Sequence, residues 1–302
     1  MKIAVDFPSV AYREGPQQVL ALASAIEQIG YDEIAAFDHV VMGYPSEDRR
    51  TIYPAEMPIL EALMLLANIA AVTSKVSLST EVLVLPQRQP VLVAKQISTL
   101  DTLSQGRVRL GIGVGWQDSE YDALEEDFST RGKRMDEAID LLRNYWQGGR
   151  IEFRGSYYDS HDMGMEPISP QGDNIPVWVG GESPAALERT AQKADGWMAS
   201  GVTDEQALLG VAEIQRLAEE FGRDPSKIGF QLMLQPPPRS DADKLFYANL
   251  DAIAERAAVV NAMGFDWTSV NATAVFQAGA RSVDAMIEQL DAIHTRIRSE
   301  VD

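Results

Sequence analysis

The feature that most constrains the fold of this chain is a regular alternation of short apolar runs with longer amphipathic segments. Eight runs are predicted to be strands: Met1–Asp6, Asp32–Phe37, Val76–Leu85, Arg107–Val114, Ile175–Val179, Gly196–Ser200, Ile228–Leu234 and Trp267–Asn271. Helical periodicity fills most of the intervening segments, and Gly or Pro marks many of the boundaries. Eight βα units predict an α/β fold, namely a closed parallel (βα)8 TIM barrel.

The predicted helices follow the strands in order, with one interruption. They are Pro16–Ile29, Ile59–Thr73, Pro90–Leu103, Asp118–Glu125, Arg131–Tyr145, Pro184–Lys193, Glu205–Phe221, Leu245–Met263 and Val283–Arg298. The interruption, at about residues 148–172, is rich in Gly and aromatic residues and predicts an insertion after the fourth βα unit. A doubly wound open sheet is the rival architecture, but no linker or change in composition divides the chain. Residues 1–302 are therefore expected to form a single domain.

The charge balance limits the partners of the chain. It carries 26 Lys and Arg residues against 45 Asp and Glu residues, a net charge of −19. Nucleic acids and anionic membrane surfaces need the opposite sign, so neither is expected as a partner. Cysteine is absent, which excludes disulfides, thiolate nucleophiles and cysteine metal sites and fits a reducing compartment. The N-terminal MKIAVDFPS indicates a strand rather than a signal peptide, and we expect a cytoplasmic protein.

Candidate functional residues follow the predicted strands, because the site of a (βα)8 barrel lies on the loops after its strands. Asp38 and His39 follow the second strand. An acid beside an imidazole suits proton transfer or hydrogen bonding to a ligand. The alternative is that Asp38 caps a loop and His39 is a structural histidine. The dipeptide alone leaves both interpretations open.

Two glycine-rich turns are the next candidates. LGIGVGWQDSE, from Leu110 to Glu120, would let the backbone approach a ligand closely, although small residues also suit tight packing inside a barrel. In WVGGESPAAL, Ser183 is predicted to cap a helix with Pro184 in its first position. Such a helix start exposes N–H groups that can bind phosphate, or is simply well capped.

Glu81 is a carboxylate among apolar neighbours in the third predicted strand. Because burial of an unpaired charge is costly, Glu81 must be paired, protonated or directed at the barrel mouth. The sequence leaves these three possibilities open. No spacing of His, Asp and Glu indicates a metal site, so none is expected.

Four segments together resemble the bacterial luciferase-like monooxygenase superfamily and, within it, the branch that uses the deazaflavin coenzyme F420. They are FDHV (37–40), STEVLVLPQRQPVLVAKQISTLDTLSQGRVRLGIGVGW (79–116), RGKRMDEAIDLLRNYW (131–146) and IPVWVGGESPAALERTAQKADGW (175–197). Their order and spacing carry the likeness, which runs from Met1 to about Trp197 and is weaker beyond.

The resemblance implies a (βα)8 barrel with an insertion and a cofactor at the C-terminal mouth. It also implies two particular features. Glu81 and Val82 match a small and an apolar residue joined by a cis peptide bond, so Glu81 departs from the family pattern. Trp116 stands where some members carry a catalytic Glu, so the sugar-dehydrogenase chemistry of that Glu is not expected. The cofactor-binding residues implied by the resemblance are Asp38, Glu81, Val82, Val114, Gly115, Gly180, Gly181 and Ser183.

The function that the resemblance implies is F420-dependent hydride transfer between C5 of the deazaflavin and a small organic substrate. His39 is the candidate proton donor, because hydride transfer requires an oriented ring and a nearby acid. The alternatives are an FMN-dependent monooxygenase of the same fold, or a non-catalytic flavin-binding protein, and the Asp38-His39 pair favours the first hypothesis. Ketones, enones, imines and alcohols all remain open as substrates. The family likeness also suggests a homodimer.

Overall fold

Eight parallel strands close into a barrel in the computed structural model, which describes residues 1–47, 51–235 and 245–301. The strands in chain order are β1 (Lys2–Asp6), β2 (Glu33–Ala36), β3 (Ser77–Thr80), β4 (Leu83–Val84), β5 (Val108–Gly113), β6 (Ile151–Arg154), β7 (Asp159–Met163), β8 (Val177–Gly180), β9 (Gly196–Ala199), β10 (Gly229–Met233) and β11 (Trp267–Asn271). All pairs in the barrel are parallel, and only β6 and β7 form a separate antiparallel pair among the described residues.

The strand order confirms the predicted barrel. Neighbours run β3, β2, β1, β11, β10, β9, β8 and β5, and β5 then pairs with β3 to close the circle. At the closure, Leu78 lies beside Val108 and Ser79 beside Arg109. Because every strand runs in the same direction, all of their carboxyl ends meet at one end, here called the mouth.

The helices surround the barrel. They are α1 (Pro16–Ile29), α2 (Ala62–Ala70), α3 (Pro90–Ser104), α4 (Asp118–Ala123), α5 (Arg131–Gln147), α6 (Pro184–Lys193), α7 (Asp204–Glu220), α8 (Leu250–Ala262), α9 (Ala272–Ala278) and α10 (Val283–Val301). Each of the longer helices buries one apolar face, rich in Leu, Ile and Ala, against the strands, as amphipathic helices do. Across the described parts of the chain, no helix combines the length and the apolar character needed to cross a membrane.

Three predicted elements differ in their bounds. The third predicted strand is divided into β3 and β4, with a cis peptide bond between Glu81 and Val82. The second helix begins only at Ala62, because the Glu61 side chain accepts a hydrogen bond from the Met64 amide and ends the preceding extended segment. Asn249 caps α8 in the same way, so the predicted helix from Leu245 begins as a short 3-10 turn instead.

One further difference concerns a segment after a strand. The short helix α9, which follows β11 directly and is capped by Asn271, has no counterpart among the predicted helices. The Pro236–Pro238 run and residues 48–50 of the predicted loop after β2 lie outside the described residues.

The predicted insertion is confirmed as the β6–β7 hairpin, which follows α5. One carboxylate ties it to that helix. Glu137 of α5 accepts hydrogen bonds from the amides of Ser156, Tyr157 and Tyr158 at 2.8, 2.9 and 2.7 Å. The hairpin tip is thereby fixed to the outside of the barrel.

An ion pair lies inside the barrel, toward the amino ends of the strands. Arg109 of β5 donates two hydrogen bonds to Glu33 of β2, and its guanidinium stacks 4.3 Å from the ring centres of Trp178 and Trp267. The two aromatic faces and the carboxylate together compensate the buried cation.

Candidate functional site

Asp38, the first candidate after β2, has its carboxylate fully engaged by the protein. Both terminal nitrogens of Arg88 donate to it at 2.9 Å, one to each oxygen, and the Val84 amide donates to Oδ2 at 2.9 Å. Burial raises the pKa of Asp38, while the Arg88 guanidinium opposes that rise. Asp38 therefore clamps the segment after β4 to the segment after β2. A contact between Asp38 and a cofactor stays a prediction.

His39 forms a buried pair with Glu120 of α4. His39 Nδ1 lies 3.1 Å from Glu120 Oε2, and the two side chains are 5% and 1% exposed. The other carboxylate oxygen, Oε1, accepts from the amides of Val40 and Val41. Burial alone would raise the pKa of Glu120, but the hydrogen bonds from His39 and the backbone outweigh it, so the pKa lies below the ordinary value.

The Glu120 contact fixes the protonation pattern of the imidazole. An ionised carboxylate can only accept, so Nδ1 of His39 carries the proton in this pair. Nε2 is then the nitrogen at which a neutral His39 accepts a proton and a protonated His39 donates one.

Aromatic rings surround the imidazole of His39. Phe37, Trp116 and Tyr53 stand edge-on to it with ring centres 5.2, 5.4 and 6.0 Å away. Trp116, at 41% exposed, forms the outer part of this cluster. A flat organic molecule at the mouth would meet an apolar wall with a single imidazole in it.

Glu81, at the carboxyl end of β3, is held from inside the barrel by neutral donors. Its Oε1 accepts from Gln231 Nε2 at 2.8 Å and from Ser269 Oγ at 3.1 Å. The side chain is partly buried, and its second oxygen is buried without a hydrogen-bond partner among the described residues. Glu81 is therefore hydrogen-bonded by neutral groups, and no cation among the described residues pairs with it.

Val82 fills a space that two glycines leave open. A Cβ atom built on Gly113 would lie 2.6 Å from Val82 Cγ2, and one on Gly180 would lie 3.0 Å from Val82 Cγ1. A side chain at Gly113 would clash with Val82, and one at Gly180 would press tightly against it, so both glycines serve the close packing of the Val82 segment. Packing therefore accounts for Gly180, one of the residues expected to contact the cofactor, and a cofactor contact by its backbone stays a prediction.

Gly111 within β5 and Gly115 after it show the same crowding. A Cβ on Gly111 would lie 2.0 Å from the Thr80 carbonyl oxygen, and one on Gly115 would lie 2.7 Å from Val84 Cγ1. Gly115 also has a φ of +68°, which glycine adopts at the lowest cost. The carbonyl of Val114 accepts a hydrogen bond from the Tyr121 hydroxyl at 2.6 Å. Tight packing, one of the two interpretations of this motif, is thus present in the structure.

The turn after β8 has the expected helix start. Ser183 caps α6 by accepting from the Ala186 amide at 3.3 Å, and Pro184 occupies the first helical position. Gly181 has a φ of +113°, and Ser183 is exposed. The exposed first turn of α6 offers N–H groups and the positive end of a helix dipole at the mouth.

Two residues of the site were missed by sequence reasoning. Arg88 neutralises Asp38, yet nothing in the sequence relates a position after β4 to one after β2. Glu120 is the last residue of the glycine-rich motif, and the sequence predicts no role for it. A signal existed, since Gln117, Glu120 and Tyr121 share one face of α4 and all are buried. A carboxylate on the buried face of a helix is a candidate for a specific partner.

The fold and the site define a class of protein, namely a (βα)8 barrel with an imidazole–carboxylate pair and a helix N-terminus at its mouth. The family model described as luciferase-like monooxygenase matches residues 3–295. The chain belongs to this luciferase-like monooxygenase family. An uncharacterized protein of Mycobacterium tuberculosis is 36% identical to it over 211 residues, which is 68% of this chain and 72% of the relative.

Solved structures are similar over the whole chain. The coenzyme F420-dependent tetrahydromethanopterin reductase of Methanopyrus kandleri has a TM-score of 0.76 at 16% identity, and the match covers 100% of this chain and 99% of the other. The oxygenating constituent of 3,6-diketocamphane monooxygenase from Pseudomonas putida, in complex with FMN, has a TM-score of 0.75 at 14% identity over 100% and 99% of the two chains. At such identities, the similarity concerns the fold.

Proposed function

We propose that this protein is an F420-dependent oxidoreductase that transfers a hydride between the deazaflavin and a small organic substrate. The observation that carries the proposal is the buried His39–Glu120 pair, which supplies a proton donor of defined protonation pattern at the mouth. Hydride transfer to a carbonyl, enone or imine needs such a donor, and the reverse reaction needs the same group as a base. The family membership supports an oxidoreductase of this fold.

Two features of the mouth fit a flavin-type cofactor. The N-terminus of α6, with Gly181 and the exposed Ser183, would hold a phosphate through backbone N–H groups and a hydroxyl. The segment of Glu81 and Val82 would lie against the ring system, because Val82 is closely packed between two glycines, Gly113 and Gly180. When bound, the cofactor supplies the hydride chemistry.

The residues of the chain then have distinct tasks. His39 holds or releases a proton at Nε2, and Glu120 fixes the imidazole and stabilises its charged form. Trp116 and Tyr53 shield the imidazole on its outer side and limit the access of water. Asp38 and Arg88 keep the two loops that carry these groups in register.

An FMN-dependent monooxygenase is the second candidate function, supported by the FMN complex of the Pseudomonas putida relative in fold. A direct titration of the cofactor-free protein with the deazaflavin and, separately, with FMN distinguishes the two. Tight binding of the deazaflavin with weak binding of FMN is the expected result. Tight binding of FMN with weak binding of the deazaflavin would support the monooxygenase instead. Binding of neither would refute both proposed functions.

The role of His39 has its own test. We expect His39→Ala to bind the cofactor almost normally but to turn over roughly 10²-fold more slowly or worse, because a positioned proton donor contributes about that much. Glu120→Gln should retain the fold and shift the pH profile of turnover, since the imidazolium loses its compensating charge. Asp122→Asn is the matched control, because Asp122 is an exposed carboxylate on the same helix. Unchanged turnover in His39→Ala would remove His39 from the mechanism.

Three further expectations stay predictions. They are the single domain spanning residues 1–302, the homodimer and the cytoplasmic location. The proposed chemistry directs the search for a substrate to carbonyl and enone compounds, which a turnover screen would compare.

A further inference from the structure

The hydrogen bonds of Glu81 have a fixed direction. Arg109 Nη2 donates to Gln231 Oε1 at 2.6 Å, and this contact orients the amide so that Gln231 Nε2 points to Glu81. Ser269 donates to the same oxygen of Glu81, Oε1. Oε1 is therefore an acceptor twice over, and any proton on this carboxyl group belongs on Oε2.

Two buried carboxyl oxygens, on side chains that interact with each other, have no hydrogen-bond donor among the described residues. They are Oε2 of Glu81 and Oδ1 of Asp6, which ends β1. Asp6 is 9% exposed, and its other oxygen lies 3.5 Å from Ser269 Oγ, the hydroxyl that also contacts Glu81. Two acceptors without a donor repel each other when both groups are ionised, whereas a single proton between them satisfies both.

We propose that Asp6 and Glu81 share one proton and thereby keep a single negative charge, rather than two, on the floor of the mouth. The proposal rests on the proposed function in one respect, since that function places a flavin-type cofactor against the Glu81 segment. Glu81 is the member of the pair beside the cofactor position, and Asp6 acts through it as a positioning residue.

In the part of the chain that the structure describes, the charged groups around the pair give it no cation of its own. Glu33 faces it from β2, and Arg109 from β5 is already paired with Glu33. The buried phenol of Tyr247, before α8, is a further titratable neighbour, and its hydroxyl accepts from the Asn271 amide at 3.2 Å. Burial, followed by the proximity of Glu81, raises the pKa of Asp6 well above the ordinary value.

The shared proton matters for an anionic ligand. FMN and the deazaflavin coenzyme both carry phosphate, and a second negative charge below the ring would oppose their binding in a site of low dielectric constant. As the pH rises and the pair loses its proton, its charge changes from −1 to −2. Affinity for such a ligand should then fall with rising pH.

Infrared spectroscopy of the cofactor-free protein tests the proton directly. At neutral pH the wild type should show the carbonyl stretch of a protonated carboxylic acid, which shifts in D₂O. Asp6→Asn and Glu81→Gln should each lose the band, because the new amide donates to the remaining carboxylate, which then ionises. Asp122→Asn is the control and should keep it. A wild-type spectrum without the band would overturn the shared proton.

A titration over pH tests the effect on the ligand. The ligand is FMN or the deazaflavin, whichever binds more tightly. Its Kd for the wild type should rise by tenfold or more as the pH is raised through the range in which the Asp6–Glu81 pair loses its proton. Asp6→Asn and Glu81→Gln keep one charge throughout, so the Kd of each should stay flat with pH, and that of Asp6→Asn should equal the low-pH value of the wild type. A wild type as flat as the variants would overturn the effect on binding.

The two proposals fail in different ways. If neither FMN nor the deazaflavin binds at any pH, the proposed function fails, and the infrared band still decides whether the proton is shared. If a cofactor binds but the band is absent or survives in both variants, the shared proton fails and the proposed function stands.

Discussion

Two carboxylates at the mouth of the barrel, Asp38 and Glu81, have opposite surroundings. Asp38 is met by a guanidinium that contacts both of its oxygens and by a backbone amide. Glu81 receives two neutral hydrogen bonds on one oxygen, and the other oxygen lies near a second acid, Asp6. One carboxylate is paired with a cation, whereas the other has no cation among the described residues.

The difference shows that residue type and position at a strand end do not decide the role of a carboxylate. A carboxylate with a bidentate Arg is a structural clamp, because both oxygens are used. A carboxylate with neutral donors and an acidic neighbour has no compensating charge, which is the arrangement proposed above to hold a shared proton. By this criterion, Glu81 is the better candidate for a chemical role, although Asp38 belongs to the more recognisable motif.

The largest expected effect comes from breaking the clamp. Asp38→Ala leaves the largely buried Arg88 with a 3.5 Å contact to Glu61 in place of its bidentate partner and should lower the free energy of unfolding by about 3–5 kcal/mol. Urea denaturation monitored by circular dichroism measures it. The double variant Asp38→Leu/Arg88→Met is the control and should be far less destabilised, since no charge is left unpaired. A single variant as stable as the wild type would contradict the clamp.

Crowding the Glu81 side should have a smaller effect. Gly113→Ala places a methyl group against Val82 and should lower the free energy of unfolding by about 1–3 kcal/mol while weakening cofactor binding. The control is Gly132→Ala in α5, where the new Cβ would be 3.7 Å from the nearest atom, Arg189 Nη2. That variant should be as stable as the wild type or slightly more stable. Equal behaviour of the two variants would show that Val82 has room to move.

The smallest effect, taken per pH unit, is a change in the pH dependence of the free energy of unfolding. Because the pKa of Asp6 is raised on folding, the folded protein takes up a proton above the ordinary pKa of aspartate, and its stability falls as the pH rises toward the raised pKa. Relative to Asp6→Asn, the wild type should lose up to about 1.4 kcal/mol per pH unit over that range. Thermal unfolding from acidic to mildly alkaline pH measures it. Parallel curves for the two proteins would contradict a raised pKa.

Much of the fold could be predicted because local patterns determine it. Eight apolar runs gave the eight barrel positions, and Ser183 with Pro184 gave the start of α6. The division of the third strand escaped prediction, since apolar residues continue through Leu83 and Val84 on both sides of the interruption. The added helix α9 begins without a break after β11, where Asn271 serves both as the last strand residue and as the cap.

The site was harder to predict, because its roles depend on pairs that are distant in sequence. Asp38 and His39 were recognised as candidates, but their partners Arg88 and Glu120 lie 50 and 81 positions away. No periodicity links such positions, and only the closed barrel brings them together. The pairing of Asp6 with Glu81 has the same origin, since the two residues end different strands.

The packing of Val82 between Gly113 and Gly180 has a consequence for the evolution of the chain. Its two methyl groups occupy the volume that a side chain at either glycine would need. Substitutions at the three positions are therefore not independent, and a methyl group gained at residue 113 becomes tolerable only when one is lost at residue 82. Natural relatives should show this coupling as covariation, with a small residue at one position wherever a larger one stands at another.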